Sequence, residues 1–264
     1  MIKFMRVFLN SNKKFIKVQA FTLAEVLITL GIIGVVAALT IPIVVSNSRE
    51  RATVSALKKG YSELSQAYTM AEQDYGTPDS WGLANNLGNF KIILSTYFLP
   101  YLKVGKNCID VSNCFPEVSF YQLNGTDFGG SFINQYNTYP IFQLQDGSLI
   151  FIGGVTDPDC KGVFGTSDKL KSICATIMFD VNGPKNPNTM GIDTFYFWLT
   201  KSGIIPAGSS EETSYTFNSY CRDKTSTADQ NGAGCAAWVI YNENMDYLKP
   251  CGPGLSWTGP IKCQ

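Results

Sequence analysis

The sequence predicts an α+β fold, in which a long N-terminal helix packs on an antiparallel β-sheet head with disulfide-stapled loops. Three observations predict it. Residues 21–45 form an apolar run with one charge, apolar residues recur at intervals of three and four over residues 54–75, and strand-like runs separated by turn residues follow. Strands that come after one long helix are typical of the α+β class.

The apolar run is long enough to cross a membrane. As a helix, its 25 residues would measure about 37 Å at about 1.5 Å per residue, against a hydrocarbon core of about 30 Å. The alternative is a secretory signal peptide cleaved near Ala37 and Ala38. Signal peptides have a shorter apolar region of about 7–15 residues and no need for Glu25 near its start. The run therefore predicts a transmembrane helix.

The net charge bears on the partners of the protein, and the cysteines indicate on which side of the membrane the head lies. Five basic residues and no acidic residue precede Phe21, and the remaining chain has 16 basic and 21 acidic residues, a net charge of −5. A mildly acidic protein is a poor candidate for bulk binding of nucleic acid. All eight cysteines lie beyond the apolar run and the chain has no histidine. This favours disulfides in an oxidising compartment, hence an extracytoplasmic head.

The eight cysteines allow 105 disulfide pairings, and the sequence alone does not choose among them. Local pairing is the simplest arrangement. It would join Cys108 with Cys114, Cys160 with Cys174, Cys221 with Cys235, and Cys251 with Cys263.

The segment KVQAFTLAEVLITLGIIGVVAALTIP, residues 17–42, resembles the N-terminal processing and methylation motif of type IV pilins and type II secretion pseudopilins. The resemblance implies that a prepilin peptidase cuts between Ala20 and Phe21, after which the freed amine of Phe21 is methylated. Most members have Gly where this chain has Ala20, another small residue. The resemblance also implies that Glu25 neutralises the Phe21 amine of a neighbouring subunit, and that Pro42 loosens the helix.

The same resemblance implies the partners and the location. The partners are the prepilin peptidase, the membrane and other pilin or pseudopilin subunits in a helical filament. The chain would consist of a cytoplasmic leader (1–20), a transmembrane and assembly helix (21–45), an amphipathic stalk helix (46–76) and an extracytoplasmic head (77–264). It would begin as a single-pass protein of the cytoplasmic membrane and end in a pilus or pseudopilus, in the periplasm or at the cell surface.

The predicted stalk helix has one apolar face. Its stripe consists of Val54, Leu57, Tyr61, Leu64, Tyr68, Ala71 and Tyr75, which is the spacing of an amphipathic helix packed on a sheet. Ser48 is the expected cap of a helix that restarts after Pro42, and Gly76 with Pro78 is the expected end. Gly60 is expected to be a tolerated weak point.

The remaining chain predicts several strands. Residues 141–145 and 148–152 flank Asp146-Gly147, a strong hairpin signal. Residues 175–181 and 194–200 are rich in β-formers, and residues 201–203 would turn the second into Ile204 and Ile205. Residues 236–241 are a further expected strand.

The stretch DVNGPKNPNTMGID, residues 180–193, has two interpretations. Asp180, Asn182, Asn188 and Asp193 carry oxygen ligands that suit calcium. Their spacing does not match an EF-hand, and Gly, Pro and Asn are also what tight turns require. Apart from calcium at this loop, no cofactor or metal is expected.

The sequence gives no support for catalysis. Without histidine, Ser-His-Asp and Cys-His arrangements are excluded, and no GxxxxGK phosphate loop is present. The acidic pairs Asp157/Asp159 and Glu211/Glu212 lie among Gly and Ser residues typical of solvated loops. We therefore expect a non-enzymatic protein.

The function predicted is that of a structural subunit of a type IV pilus or type II secretion pseudopilus. One alternative is a minor tip pilin whose head binds a surface, a secreted substrate or DNA. The four tryptophans, Trp81, Trp198, Trp238 and Trp257, would then form a binding face, although aromatic residues are more often core. The other alternative is an uncleaved, single-pass anchored protein.

Overall fold

The computed structural model describes residues 22–109, 111, 114–115, 119–127 and 141–264. The predicted leader and the Ala20–Phe21 cleavage site lie outside these residues. The described part contains a long helix and a six-stranded antiparallel sheet, as predicted. The helices are α1 (Leu23–Tyr75), α2 (Leu87–Ile92), α3 (Phe217–Tyr220) and α4 (Ala236–Asn242), and the strands are β1 (Val104–Asn107), β2 (Ile141–Leu144), β3 (Leu149–Val155), β4 (Ile173–Asp180), β5 (Thr194–Thr200) and β6 (Gly203–Pro206).

Helix α1 is continuous through Pro42 and Ser48. The expected restart at Ser48 is therefore wrong: the backbone stays helical on both sides of the proline, so no new N-terminus needs a cap. The predicted end is confirmed, because Gly76 takes a left-handed conformation with φ of +76° and its N–H binds the carbonyl of Glu72 at 2.9 Å. A glycine in this conformation commonly ends a helix.

The chain divides into two compact units between Asn47 and Ser48. In the second unit, the predicted apolar stripe of α1 is buried at every position except Tyr61, which is partly buried, and Tyr75, which is exposed. Two tyrosines of the stripe also bond the sheet edge: Tyr61 Oη donates to the Ile204 carbonyl at 3.3 Å and Tyr68 Oη to the Lys201 carbonyl at 2.8 Å. The stripe is a core face, as its spacing indicates.

The sheet is an antiparallel meander in the order β1-β2-β3-β4-β5-β6. The hairpin predicted at Asp146-Gly147 joins β2 to β3. There Gly147 has a φ of +96° and its N–H binds the carbonyl of Leu144 at 3.0 Å. The predicted strands at 175–181 and 194–200 are β4 and β5, and the second turns into β6 at Gly203.

Both faces of the sheet are covered, so β5 is buried at all seven positions. Its side chains alternate between the faces, as a strand requires. Phe197 faces α1 and stacks on Tyr61 with ring centroids 5.7 Å apart. Tyr196 and Trp198 belong to a second core on the opposite face, where Phe164 contacts Trp198 edge to face at 5.0 Å.

Two elements differ from the prediction. Residues 236–241 form helix α4 and not a strand, because a short buried apolar run fits either structure and its neighbours decide. Here Trp238 is fully buried and stacks on Phe217 with centroids 3.9 Å apart. Strand β1 was not predicted. Its four residues, VGKN, are mostly exposed and carry no apolar alternation.

Candidate functional site

The N-terminal part of α1 presents a continuous apolar surface to its surroundings. Leu23, Leu27, Val35 and Leu39 are each more than 60% exposed. Large exposed apolar surfaces on a folded protein mark a membrane or protein contact. By length and composition, α1 is the one helix among the described residues that qualifies to cross a membrane.

Glu25 closes the first turn of this helix. Thr22 precedes the first helical residue, and its Oγ1 accepts a hydrogen bond from the Glu25 N–H at 3.2 Å. In return, Glu25 Oε2 accepts from the Thr22 N–H and from Thr22 Oγ1, both at 2.8 Å. These reciprocal bonds form a capping box, which satisfies backbone donors that a helix N-terminus leaves unpaired.

Capping of the helix is a role of Glu25 that the resemblance to pilins does not imply. The sequence signal for it is the T-x-x-E pattern of residues 22–25. Among the described residues, both Thr22 donors bind Oε2, which leaves Oε1 for a second donor. The cap and a charge pair are thus compatible roles for one carboxylate.

Two glycines leave space on the surface of the N-terminal part of α1. A Cβ added at Gly31 or Gly34 would meet no atom within 4 Å among the described residues. Gaps of this kind let a second helix approach closely. Pro42 lies inside the helix, where it removes one backbone donor.

Each of the four disulfides joins two cysteines that are neighbours in the order of cysteines along the chain, which is the local pairing described above. Cys108–Cys114, Cys160–Cys174, Cys221–Cys235 and Cys251–Cys263 are joined, and no cysteine is free. The second bridge fastens the loop before β4 to a buried position of that strand, and the third fastens α3 to the start of α4. Each bridge restrains a loop outside the sheet, which is a structural role.

The loop at residues 180–193 uses its two carboxylates as internal acceptors. Asp180 Oδ1 accepts from the N–H groups of Asn182 at 3.0 Å and Gly183 at 2.8 Å. Asp193 Oδ1 accepts from the Thr189 N–H at 2.6 Å, while its Oδ2 accepts from the N–H of Asn188 at 2.9 Å and the side-chain amide of Asn182 at 3.2 Å. These bonds fit the interpretation of the loop as a set of tight turns.

Burial changes the protonation of both carboxyl groups. It raises the pKa of Asp180 well above its usual range, with a further contribution from the nearby charge of Asp193. Burial likewise raises the pKa of Asp193 to about 6. Within the described residues, no group of three or more His, Cys, Asp or Glu side chains is placed to hold a metal. Calcium at this loop stays a prediction.

Glu212 is buried, so the prediction of a solvated loop is wrong for this residue, which is 4% exposed. Its carboxylate accepts from Trp198 Nε1 at 3.1 and 3.2 Å and from the Gly208 N–H at 2.7 Å. Burial raises its pKa to about 7. No sequence pattern indicated this, because the donors come from β5 and from the loop after β6. The neighbouring Glu211 is exposed, as expected.

The tryptophans form no common binding face. Trp81, Trp198 and Trp238 are buried at 5% exposure or less. Trp257 is partly buried and donates its Nε1–H to the carbonyl of Gly208 at 3.0 Å. The core interpretation of these aromatic residues is therefore the correct one for the first three.

Comparison with curated proteins and with solved structures finds no match. A family model described as a family of unknown function, DUF6613, matches residues 43–237. The match covers the head-packed part of α1, all six strands and the start of α4. Because it extends over well more than half of the chain, the protein belongs to the DUF6613 family.

Proposed function

We propose that this protein is a filament subunit of the type IV pilin or type II secretion pseudopilin kind. It is held in the membrane by the N-terminal part of α1, cleaved after Ala20 and polymerised through the same helix. The observation that carries the proposal is the exposed apolar surface of α1, which begins with the Thr22–Glu25 capping box. The sequence motif of residues 17–42 supports it independently.

The exposed apolar surface of α1 must be shielded from water both before and after assembly. Before assembly, hydrocarbon covers it, since residues 23–45 would form a helix of about 34 Å at about 1.5 Å per residue. After assembly, the corresponding helices of other subunits cover it, and Gly31 and Gly34 allow their close approach. The second half of α1 is already shielded from water because the sheet packs on it.

Glu25 guides assembly in this proposal. Cleavage frees an ammonium group on Phe21, and the carboxylate of a neighbouring subunit pairs with it. A charge pair in a low-dielectric region offsets part of the desolvation cost that each group would bear alone. The capping box holds the carboxylate at the helix start, where its negative charge also favours the helix dipole.

The test is the mature N-terminus of the protein. The full chain is co-expressed with a prepilin peptidase, recovered from membranes and analysed by mass spectrometry. The expected product begins with N-methylated Phe21. A matched Ala20→Gly variant should give the same product, and an Ala20→Leu variant should stay uncleaved because the site requires a small residue.

Two results would contradict the proposal. A membrane protein that retains Met1 in the presence of an active peptidase would be an uncleaved anchor. A product that begins near residue 39 would instead be a secreted protein released from a signal peptide.

A further inference from the structure

Basic residues gather in one region of the second unit, where they form a patch that differs in charge from the rest of residues 22–264. The patch consists of Arg49, Arg51, Lys58, Lys224, Lys249 and Lys262, together with the acidic residues Glu50, Glu243 and Asp246. It thus has three more basic than acidic residues. The rest of residues 22–264 has 10 basic residues against 18 acidic ones.

Glu50 anchors this basic patch to α1. Its Oε1 accepts a hydrogen bond from the Met245 N–H at 2.7 Å, and its Oε2 lies 3.9 Å from Lys249 Nζ. Lys249 also pairs with Asp246, whose other oxygen accepts from the Cys263 N–H at 2.8 Å. The C-terminal residues of the chain are thereby held against the part of α1 that lies just beyond Ser48.

The other lysines of the patch interact with residues on either side of this anchor. Lys58 pairs with Glu243, and the pKa of Glu243 is lowered by that hydrogen bond and, to a smaller extent, by the charge of Lys262. Lys224 Nζ donates to the carbonyl of Leu248 at 3.4 Å. Arg49 and Arg51 flank Glu50 and are exposed.

Chain connectivity limits how far Glu50 can lie from the predicted span. Glu50 comes five residues after Val45, the last residue of the predicted span. Even a fully extended chain of five residues reaches at most about 18 Å. A span seated in a bilayer would therefore place Glu50, and the residues bonded to it, within reach of the lipid headgroups whatever the orientation of the second unit.

An exposed tyrosine and an exposed isoleucine accompany the charges. Tyr241 is 56% exposed and Ile261 is 44% exposed. The Tyr241 ring lies 6.4 Å from that of Trp257, and the carbonyl of Ile261 accepts from the side-chain amide of Asn244 at 3.1 Å. Tyrosine and tryptophan beside Lys and Arg are the residue types that favour a membrane–water interface.

We propose that this basic patch binds anionic phospholipid headgroups while the protein is anchored in the membrane. Basic residues close to a leaflet that contains anionic lipid are attracted to its negative charge, whereas the acidic remainder of the head is repelled. The contact would hold the head in one orientation before assembly. This inference rests on the proposed membrane insertion of α1 and does not depend on filament formation.

The test measures amide hydrogen exchange of the full chain in nanodiscs. Discs of phosphatidylcholine alone are compared with discs that contain one anionic phosphatidylglycerol in about three lipids, at low and at high salt. We expect peptides covering residues 241–264 to exchange about fivefold more slowly in the anionic discs at low salt. This factor corresponds to about 1 kcal/mol, the attraction expected for one Lys or Arg at such a surface. High salt should abolish the difference.

Charge reversal supplies the control. The triple variant Arg49→Glu, Arg51→Glu, Lys262→Glu should lose the lipid effect. The triple variant Lys169→Glu, Lys171→Glu, Lys185→Glu changes net charge equally at exposed positions outside the patch, and it should keep the effect.

Three outcomes would overturn the inference. Equal exchange in both discs would show that the patch does not bind anionic lipid, while co-elution of the chain with the discs would leave membrane insertion intact. Protection in neutral discs that rises with the number of chains per disc would assign the patch to a second copy. A chain that does not co-elute with discs would overturn the proposed insertion as well.

Discussion

Two single residues, Glu25 and Gly60, make contacts that the predictions from the sequence did not include. Glu25 is charged in an apolar run, and its carboxylate closes a capping box with Thr22. Gly60, expected to be a weak point of α1, is instead a contact point. A Cβ at this position would lie 2.2 Å from Cζ of Phe179, a ring that is 1% exposed. The sheet can approach α1 closely because residue 60 has no side chain.

Substitution can separate the observed cap of Glu25 from its proposed charge pair. Glu25→Gln retains a side chain that is accepted at the third position of a capping box but has no charge, whereas Glu25→Ala loses both. We expect both variants to insert in the membrane and both to yield more than tenfold fewer sheared filaments. The reason is that loss of one partner of a buried charge pair costs about 3–5 kcal/mol. Normal filaments from the Gln variant would show that the cap, and not the charge, is what assembly needs.

Gly60→Ala should destabilise the head although alanine favours a helix. The helix propensity gain is about 1 kcal/mol, but overpacking a closed core costs about 1–3 kcal/mol and occasionally more. We expect a lower denaturant midpoint of the detergent-solubilised protein. Gly254→Ala is the control, because a Cβ there meets no described atom within 4 Å. Partial recovery in Gly60→Ala/Phe179→Leu would identify the clash, and an unchanged midpoint in Gly60→Ala would refute it.

At the scale of elements, α1 has two parts with different surroundings. Residues 54–71 bury their stripe under the sheet, while Leu23, Leu27 and Leu39 in the N-terminal part of α1 are exposed. The sheet in turn buries both faces, one against α1 and the other beneath loops that disulfides restrain. The loop after β3 depends on the Cys160–Cys174 bridge, which joins a left-handed residue, Cys160 with φ of 57°, to a fully buried position in β4.

Removal of that bridge should be costly. Closing a loop of 14 residues contributes about 3 kcal/mol in the chain-entropy model. We expect Cys160→Ala/Cys174→Ala to lose about 2–4 kcal/mol of unfolding free energy, measured by denaturant titration. The Cys108–Cys114 bridge closes a loop of six residues. The variant Cys108→Ala/Cys114→Ala should therefore lose less unfolding free energy, about 2 kcal/mol by the same relation. Equal stability of the first variant and the wild type would contradict this.

For the whole molecule, buried carboxyl groups make stability depend on pH. Asp180, Asp193 and Glu212 all have raised pKa values in the folded state, mainly through burial. Each binds its proton more tightly in the folded chain than in the unfolded chain. Their stabilising contribution is therefore complete below the unfolded pKa near 4 and is lost as pH rises through about 6 for Asp193 and about 7 for Glu212.

Stability should consequently fall between pH 5 and pH 8, and Glu212→Gln should reduce the fall. Glutamine resembles the protonated acid and retains an oxygen for Trp198 and Gly208. Each pKa unit corresponds to about 1.4 kcal/mol, so the effect of Glu212 is on the order of 2–3 kcal/mol. Thermal unfolding of both proteins across this range measures it. Glu211→Gln, at the exposed neighbour, should leave the profile unchanged, and an unaltered profile in Glu212→Gln would contradict the assignment.

The sequence by itself determined the features that local chain chemistry controls. The apolar stripe of α1, the Asp146-Gly147 hairpin and strand β5 all depend on residues close together in the chain. The sequence left the cysteine pairing open, and the structure showed that all four bridges are local. The helical state of residues 236–242, the burial of Glu212, strand β1 and the close contact at Gly60 required the tertiary structure. Each of these depends on a partner far away in sequence: Phe217 for Trp238, Trp198 for Glu212, strand β2 for β1, and Phe179 for Gly60. The periodicity of a segment indicates which of its residues share a face, but not which distant part of the chain packs on that face. That packing decides whether a short apolar run is a helix or a strand and which polar groups are buried.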